Sequence, residues 1–483
     1  MEPLSFNIAR LFLLRSLAAI YFVAFLVALK QFPALLGQNG LLPVPQFIAQ
    51  VPFKETPSLF YLGYSDRLLA IFSFAGMAIS AGLFLGIFEK GPWWVVTSLW
   101  LAIWVLYLSI VNVGQTFYAF GWESMLLEAG FFAAFLGPKL ETSMIPMMIL
   151  RWMLFRTEMG AGLIKIRGDE CWRNFTCLYY HHETQPMPNP FSWYFHHLPK
   201  PIHRAGVGFS HFVQLIAPFG LFVPQGIIPA VSGALIILHQ LMLIVSGNYS
   251  WLNWLTVILA FTCFSDPVLM RFIPWKIPEG PARPAVFNGI LYGLAVVTII
   301  LSIQPTLNFF AKRQAMNTSY NPIHLVGSYG AFGSVTKERY EIVVEGTDSL
   351  PVAPEAKWRE YEFKGKPGDI YKVPTQYAPY HLRLDWLMWF LPFSMQVVDH
   401  QVLPEGYPLW FLRFVKKLLE GDQQTIGLLR SSPFTEPPKF IRAEVYLYQF
   451  TNSDERKQTG AVWKRERIGD YLPPVNLERL KDV

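Results

Sequence analysis

The sequence predicts a polytopic α-helical transmembrane bundle of roughly eight to nine spans, followed by a β-rich soluble C-terminal domain. Of the 483 residues, 52% are hydrophobic and only 15% are charged. A soluble chain carries about 25% charged residues. The long apolar stretches all lie before residue 305, whereas the later part has short segments rich in β-branched and aromatic residues. We therefore divide the chain into a membrane domain, 1–305, and a soluble domain, 306–483.

Windows of about 20 apolar residues, long enough to cross a bilayer, define the individual spans. They lie near residues 11–29, 68–88, 93–111, 120–137, 146–166, 206–223, 227–246, 251–264 and 286–303. The first window is too long for the core of a signal peptide, so we interpret it as a retained span. The eighth is short, which is typical of a half-buried or re-entrant segment.

The positively charged residues predict how the spans are oriented. With the N-terminus in the cytosol, the cytosolic loops carry Arg10, Lys90, Lys139, Arg271, Lys276 and Arg283. An odd number of spans then places residues 167–205 and the soluble domain together on the non-cytosolic side. The net charge of +6 is explained by these loops and does not indicate nucleic-acid binding.

Charged residues inside the predicted spans form a polar cluster. Arg151, Glu158 and Lys165 are seven residues apart, so they share one face of a helix. Three ionised side chains facing lipid would cost on the order of 10 kcal/mol, so this face should contact protein or a wet cavity. Two interpretations stay open for the whole cluster, interhelical hydrogen bonds or one shared cavity. Its members are Glu123, Glu128, Arg151, Arg156, Glu158, Lys165 and His239.

Residues 167–205, called here the 167–205 segment, are predicted to form an ordered loop. Gly168 should end the preceding helix, the motif QPMPNP should be an extended connector, and the first charged residues should form a local ion network. We predict no metal site, because adjacent histidines on an extended chain point to opposite sides and no known ligand spacing is present. The candidate surface residues are Arg167, Asp169, Glu170, Trp172, Arg173, His181, His182 and Glu183.

Three cysteines are too few to build a disulfide framework. Cys171 and Cys177 lie in the same segment. We expect free or buried thiols there, with a disulfide between the two as the alternative.

The C-terminal domain is predicted to combine a sheet with at least one helix. The segments 339–346, 357–365, 440–450 and 461–469 are rich in β-branched and aromatic residues and are bounded by Gly or Pro, which is typical of strands. Residues 408–422 carry apolar side chains at helical spacing, and Gly421 should end that helix.

Several long blocks resemble the lipase maturation factor family. The most specific is MGAGLIKIRGDECWRNFTCLYYHHETQPMPNPFSWYFHHLP, followed in order by LIVSGNYSWLNWLTVILAFTCF, GSYGAFGSVTKERYEIVVEGT, WREYEFKGKPGD, YAPYHLRLDWLMWF and RIGDYLPP. The resemblance implies a polytopic membrane protein, of the endoplasmic reticulum in animals or of the cytoplasmic membrane in a bacterium, with a lumenal or extracytoplasmic C-terminal domain. It also implies a chaperone-like, non-enzymatic role in the folding and assembly of secreted lipases.

On this interpretation the partners are a secreted, lipase-like client and membrane lipid, with no cofactor and no nucleic acid. Aromatic side chains on the non-cytosolic surface are candidate anchors for the client, and their alternative role is core packing. The candidates are Trp172, Tyr179, Trp193, Trp358, Trp386 and Trp389.

Two other functions compete with this one. A membrane enzyme would use the polar cluster as a quinone or lipid site, and such a protein is distantly similar in architecture to vitamin K-dependent carboxylase. A transporter would use it as a permeation path, but no inverted repeat is evident. The sequence has no nucleophile elbow, phosphate-binding loop or dinucleotide motif, so the common soluble-enzyme chemistries have no support.

Overall fold

The chain folds into a helical bundle that extends to Phe310 and a sheet-containing remainder, 311–483, called here the head. The structure, a computed structural model, describes residues 5–137, 140–275, 277, 280–350, 356–398 and 401–483. One buried apolar core continues from the bundle into the head, so the two pack directly on each other.

The bundle contains sixteen α-helices among its described residues. They are α1 Asn7–Leu36, α2 Val44–Gln50, α3 Asp66–Leu85, α4 Trp93–Asn112, α5 Gln115–Tyr118, α6 Gly121–Ala133, α7 Met144–Arg167, α8 Glu170–Arg173, α9 Leu178–Thr184, α10 Ser192–His196, α11 Lys200–Leu215, α12 Ile227–Ser246, α13 Leu252–Ala260, α14 Asp266–Leu269, α15 Ala285–Leu301 and α16 Ile303–Phe310.

Six helical stretches of the described chain are long and apolar enough to cross a membrane. They are Asn7–Leu36, Asp66–Leu85, Trp93–Asn112, Lys200–Phe222, Ile227–Ser246 and Ala285–Phe310. The three other predicted spans correspond to α6, which has 13 residues, to the charged helix α7, and to α13, which has 9 residues. The predicted class, a polytopic bundle with a β-containing C-terminal part, is confirmed.

Helix α7 lies at the centre of the bundle and packs against α6, α11, α13 and α15. Its Gly160 is required by a close approach of the head, because a Cβ there would lie 2.0 Å from the backbone oxygen of Tyr329. The helix ends at Arg167 and is followed by Gly168, as predicted.

The predicted cytosolic loops meet at one end of the bundle. Arg10 donates hydrogen bonds of 2.6 Å to the backbone oxygens of Gly137 and Leu140. Arg283 donates a hydrogen bond of 2.7 Å to the backbone oxygen of Thr142. Lys139 and Lys276, which belong to the same prediction, lie outside the described residues.

The 167–205 segment is more helical than predicted. It holds α8, α9 and α10 and the beginning of α11. His181 and His182 therefore lie on a helix, and the expectation of an extended chain at these two histidines was wrong. The prolines of QPMPNP lie in an irregular connector between α9 and α10, as predicted.

The described part of the head contains a four-stranded antiparallel sheet of order β2-β1-β5-β6 and a separate hairpin, β3-β4. In the sheet register, Ile342 pairs with Val445 and Tyr446 with Arg467. The elements are β1 Arg339–Thr347, β2 Arg359–Glu360, α17 Arg383–Met388, β3 Met395–Val398, β4 Gln401–Pro404, α18 Leu409–Leu419, α19 Gln423–Ile426, β5 Phe440–Phe450, α20 Ser453–Thr459 and β6 Trp463–Val475.

Three of the four predicted strands are confirmed, and so is helix α18, which is followed by Gly421 with φ +68°. The prediction of a full strand over 357–365 was wrong, since only two of these residues form β2. After Tyr361 the backbone of this segment no longer pairs with β1. Glu362 instead makes an isolated bridge with Ser431.

Candidate functional site

A cavity of about 370 Å³ lies where the bundle meets the head. Helices α6, α7, α11, α12 and α13 form one wall, and head residues 316–334 and 386–393 form the other. The lining is mostly apolar and aromatic, including Trp122, Tyr249, Phe332 and Trp386. Cavities of about 300–1,000 Å³ with a few polar groups are typical of small-molecule sites.

The polar groups of this cavity come from four helices and are linked by hydrogen bonds. Asn253 donates to Gln240 at 2.6 Å, and Gln240 donates to the Oε1 atom of Glu158 at 2.8 Å. Lys165, two turns further along α7, donates to the Oε1 atom of Gln214 at 2.8 Å. The wall thus holds one formally negative and one formally positive side chain.

A second cavity, of about 110 Å³, lies on the other side of Lys165. His239 of α12 lines it together with Trp172, His181 and His182 of the 167–205 segment. Lys165 therefore lies between two cavities, one toward the head and one toward the segment.

The remaining members of the polar cluster line neither cavity. Glu128 and Arg156 form a fully buried ion pair between α6 and α7. The Oε2 atom of Glu128 also accepts hydrogen bonds from the hydroxyl of Tyr329 at 2.6 Å and from the backbone N–H of Gly327 at 3.1 Å. Through Glu128, this pair therefore binds residues 327–329 of the head to the bundle.

Glu123 pairs with the head as well. Its Oε1 atom lies 2.8 Å from Nη1 of Arg383, and both side chains are fully buried. Arg383 also donates to the backbone oxygen of Phe117 at 2.7 Å and lies over the ring of Tyr118. Sequence reasoning missed Arg383 and Tyr329, because no local pattern connects them to α6.

Arg151 is separated from Glu158 and Lys165, although the three lie on one face of α7. It donates hydrogen bonds of 2.6 Å to the backbone oxygen of Thr262 and of 2.8 Å to that of Val223. The interpretation of one cavity shared by the whole cluster is therefore wrong, because its charges meet four different sets of partners.

The 167–205 segment is fastened to the sheet of the head by Arg339 of β1. Its guanidinium donates to the backbone oxygens of Glu183 at 2.9 Å and Pro186 at 3.1 Å, and it pairs with Glu341 at 2.5 Å. Lys366 lies 2.6 Å from the other carboxylate oxygen of Glu341. These five residues are buried or nearly so, and their contacts hold the segment against the head.

The candidate aromatic anchors differ in exposure. Trp172, Trp193 and Trp386 are buried, and the indole N–H of Trp193 donates to the backbone oxygen of Thr451 at 2.8 Å. These three rings therefore pack inside the molecule and present no free face to a partner. The others, Tyr179, Trp358 and Trp389, are partly exposed.

The expected ion network at the start of the segment was wrong. Arg167 donates to the side chain of Gln314, and Arg173 donates to the backbone oxygens of Ile166 and Gly168. Asp169 accepts from the backbone N–H of Cys171, and Glu170 accepts from Asn174. Backbone and amide groups take the place of the expected ion partners.

His181 and His182 of the segment are buried, and burial holds both in the neutral form. Burial lowers the pKa of His181 to about 4, and its Nε2 atom lies 2.9 Å from the hydroxyl of Tyr249. Burial also lowers the pKa of His182 well below its usual value and raises the pKa of Glu183 to about 7. In the described part of the chain, no group of three His, Cys, Asp or Glu side chains is placed to hold a metal ion.

Cys171 and Cys177 form a disulfide, and the expectation of free thiols was wrong. The turn between α8 and α9 brings the two residues together, because the backbone N–H of Cys177 bonds to the oxygen of Cys171 at 3.2 Å. Cys263 is a buried free thiol.

Comparison with known proteins decides the family. The family model described as the lipase maturation factor transmembrane domain matches residues 8–271, and that of the lipase maturation factor C-terminal domain matches residues 325–473. The chain belongs to the lipase maturation factor family. The resemblance found in the sequence is thereby confirmed.

Relatives within the lipase maturation factor family match over almost the whole chain. Lipase maturation factor 1 of Homo sapiens is 41% identical, and that of Mus musculus is 40% identical, each over 99% of this chain and 89% of the relative. Lipase maturation factor 2 of Xenopus laevis is 27% identical over 98% of this chain and 83% of the relative. No solved structure matches the chain.

These relatives give no support to a membrane enzyme or a transporter. The family match also shows where the ion pairs Glu123–Arg383 and Glu128–Arg156 lie relative to the two family domains. Both lie where the matched transmembrane domain contacts residues after 325, the start of the matched C-terminal domain.

Proposed function

We propose that this chain is a membrane-bound, non-enzymatic maturation factor that assists the folding and assembly of secreted lipases. The observation that carries the proposal is the 40–41% identity to mammalian lipase maturation factor 1 across both the bundle and the head. A client-handling role needs a surface that can hold another chain, and the joint between the 167–205 segment and the head offers one.

The proposed docking surface is made by exposed aromatic rings on this joint. Phe191 and Tyr194 are 53% and 56% exposed, and they flank the buried Trp193 that anchors the segment to the head. The guanidinium of Arg456, from α20 of the head, lies 5.6 Å from the ring centre of Tyr194. Aromatic and arginine side chains are the groups that most often dominate protein–protein binding energy.

We place this surface on the non-cytosolic side of the membrane, in the lumen of the endoplasmic reticulum if the organism is eukaryotic. Two observations support the placement. A disulfide in the 167–205 segment suits an oxidising compartment. The cations Arg10 and Arg283 lie together at the predicted cytosolic end of the bundle, as the positive-inside rule expects.

The proposal is tested by site-specific photocrosslinking in cells that secrete a lipase. A photoreactive amino acid at position 191 or 194 should capture newly made lipase, whereas the same group at Phe84 should not. Phe84 is a matched control, since it is 47% exposed and lies on the apolar helix α3. Equal capture at all three positions, or none at 191 and 194, would contradict the proposed surface.

A further inference from the structure

The cavity between the bundle and the head contains polar atoms that the protein itself does not satisfy. Among the residues that the structure describes, three residues that line this cavity have a buried polar atom without a hydrogen-bond partner: the Oε2 atom of Glu158 and the indole Nε1 atoms of Trp122 and Trp386. Glu158 is 1% exposed, Trp386 is 4% exposed and Trp122 is 7% exposed. Buried polar atoms in folded proteins are nearly always hydrogen-bonded, so we expect a molecule in the cavity to supply the missing hydrogen-bond partners.

These three atoms specify complementary groups on that molecule. The free carboxylate oxygen of Glu158 needs a hydrogen-bond donor, and the indole N–H groups of Trp122 and Trp386 can only donate and therefore need acceptors. Glu158 and Lys165 carry opposite formal charges on the same wall, so the wall as a whole favours a molecule without net charge. A head group with hydroxyl and ester oxygens meets these conditions.

The rest of the lining specifies the remainder of the molecule. Apart from the polar wall, the cavity is surrounded by rings such as Phe120, Tyr249 and Phe332. Phe390 and Phe393 line the same cavity and are 40% and 50% exposed, so the cavity reaches the surface of the molecule beside them. An apolar chain can therefore enter along aromatic side chains while the head group reaches Glu158.

We propose that this cavity is a binding site for an uncharged lipid with a hydroxyl-bearing ester head group, the chemistry of a monoacylglycerol. The hydroxyl group donates to Glu158, and oxygen atoms of the head group accept from Trp122 and Trp386. The site lies between the two matched family domains and touches both, so the bound lipid fills the joint between them. The inference does not depend on the proposed client.

The test uses the full-length chain in phosphatidylcholine nanodiscs with a photoreactive monoacylglycerol. Label is expected on the peptides that contain residues 120–125 and 386–393. Unlabelled monoacylglycerol should compete at least tenfold better than the methyl ester of the same fatty acid, which has no hydroxyl group. The free fatty acid should also compete poorly, because its carboxylate would add a negative charge beside a wall whose two formal charges already balance.

Two variants address the cavity directly. Glu158→Met should lower the labelling about tenfold, because a hydrogen bond to a carboxylate is lost. Thr256→Trp, which places an indole at a residue of the lining, should abolish it. Glu170→Met is the matched control, since Glu170 is exposed and remote from this lining, and it should label like the wild type.

Labelling confined to other peptides would overturn the proposal, and so would equal competition by the methyl ester. The first result would mean that water supplies the missing partners in the cavity, and the second that no lipid hydroxyl group donates to Glu158. The labelling and competition measurements use the wild-type chain alone, so they test the lipid site even if a variant fails to fold. Thermal unfolding gives a second readout, in which monoacylglycerol should raise the midpoint of the wild type but not of Glu158→Met.

Discussion

Glu123 of the bundle and Arg383 of the head form an ion pair of 2.8 Å with both side chains fully buried. Each charge would be costly alone in this apolar setting, so the pair exists only when the head is seated on the bundle. Arg383 is held further by the backbone oxygen of Phe117. The pair therefore couples the folding of the two parts.

Replacing Glu123 by Gln or Arg383 by Met should destabilise the chain by about 3–5 kcal/mol, because one buried charge is left without its partner. The measurement is the thermal unfolding midpoint of the chain purified in detergent, which should fall by several degrees. The double variant Glu123→Leu/Arg383→Met should recover part of the loss, since it leaves no unpaired charge.

Arg359→Met is the control for this prediction, because Arg359 pairs with Asp348 at a site where both side chains are about half exposed. Exposed pairs contribute about 0–1 kcal/mol, so the control should unfold within a degree or two of the wild type. An unchanged midpoint for both Glu123→Gln and Arg383→Met would show that the pair does not hold the head.

Arg339→Met should loosen the 167–205 segment from the sheet. The substitution removes the donors to the backbone oxygens of Glu183 and Pro186 and one partner of Glu341. We expect limited proteolysis within residues 185–191 to become about tenfold faster, because a free-energy loss of about 1.4 kcal/mol already gives that factor. Lys464→Met, at a half-exposed pair with Glu455, is the control and should leave the rate unchanged.

The contribution of His181 to the stability of the chain should be lost as the pH falls from about 7 to 5, whereas Glu183, with its raised pKa, acts in the opposite direction. Burial lowers the pKa of His181 to about 4, whereas an unfolded histidine titrates near pH 6.5. Between these values the unfolded state binds more protons, so the free energy of unfolding falls with pH, by about 2 kcal/mol at pH 5 from this residue. His181→Gln should show a smaller loss of thermal stability over this range.

His197→Gln is the matched control for the pH prediction, since His197 is exposed on the same segment. It should keep the pH dependence of the wild type. If His181→Gln keeps the same dependence as well, His181 is not held neutral in the folded chain.

Ser substitution of both Cys171 and Cys177 should lower stability by about 2–4 kcal/mol, the usual contribution of a disulfide. In the wild type, both thiols should react with an alkylating reagent only after reduction, as read by mass spectrometry of the unfolded chain. Free thiols at these positions in freshly isolated membranes would remove the support for an oxidising compartment.

The segment and the head should be accessible from the same side of the membrane. In sealed vesicles of known orientation, Lys200→Cys and Lys457→Cys should react with an impermeant maleimide from one side and Arg271→Cys from the other. All three side chains are exposed, so labelling reports sidedness. Reaction of Lys200→Cys and Lys457→Cys from opposite sides would separate the proposed docking surface into two parts.

Much of the fold could be predicted because it rests on local patterns. Apolar windows located the spans within α1, α3, α4, α12 and α15, and β-branched segments located β1, β5 and β6. The helices of the 167–205 segment gave no such signal, because helices shorter than about 12 residues depend on tertiary contacts rather than on their own periodicity.

The candidate site could be predicted only in part. The seven-residue spacing of Arg151, Glu158 and Lys165 showed which face of α7 is polar, but periodicity carries no information about the partner across that face. Glu123 pairs with Arg383, and Glu128 accepts a hydrogen bond from Tyr329. Both of these partners belong to the head and lie far along the chain. Three of the candidate anchors, Trp172, Trp193 and Trp386, are buried, because composition does not distinguish a buried indole from an exposed one; Trp358 and Trp389 stay candidates.

The specific activity of a secreted lipase most directly tests the central claim that this chain is a maturation factor. The lipase is expressed in cells that lack their own maturation factor, with this chain, with its Phe191→Ala/Tyr194→Ala variant, or with neither. We predict that the wild-type chain raises lipase activity per milligram of secreted lipase at least tenfold and that the variant loses most of this effect. Equal specific activity with and without the wild-type chain, at matched expression, would contradict the account.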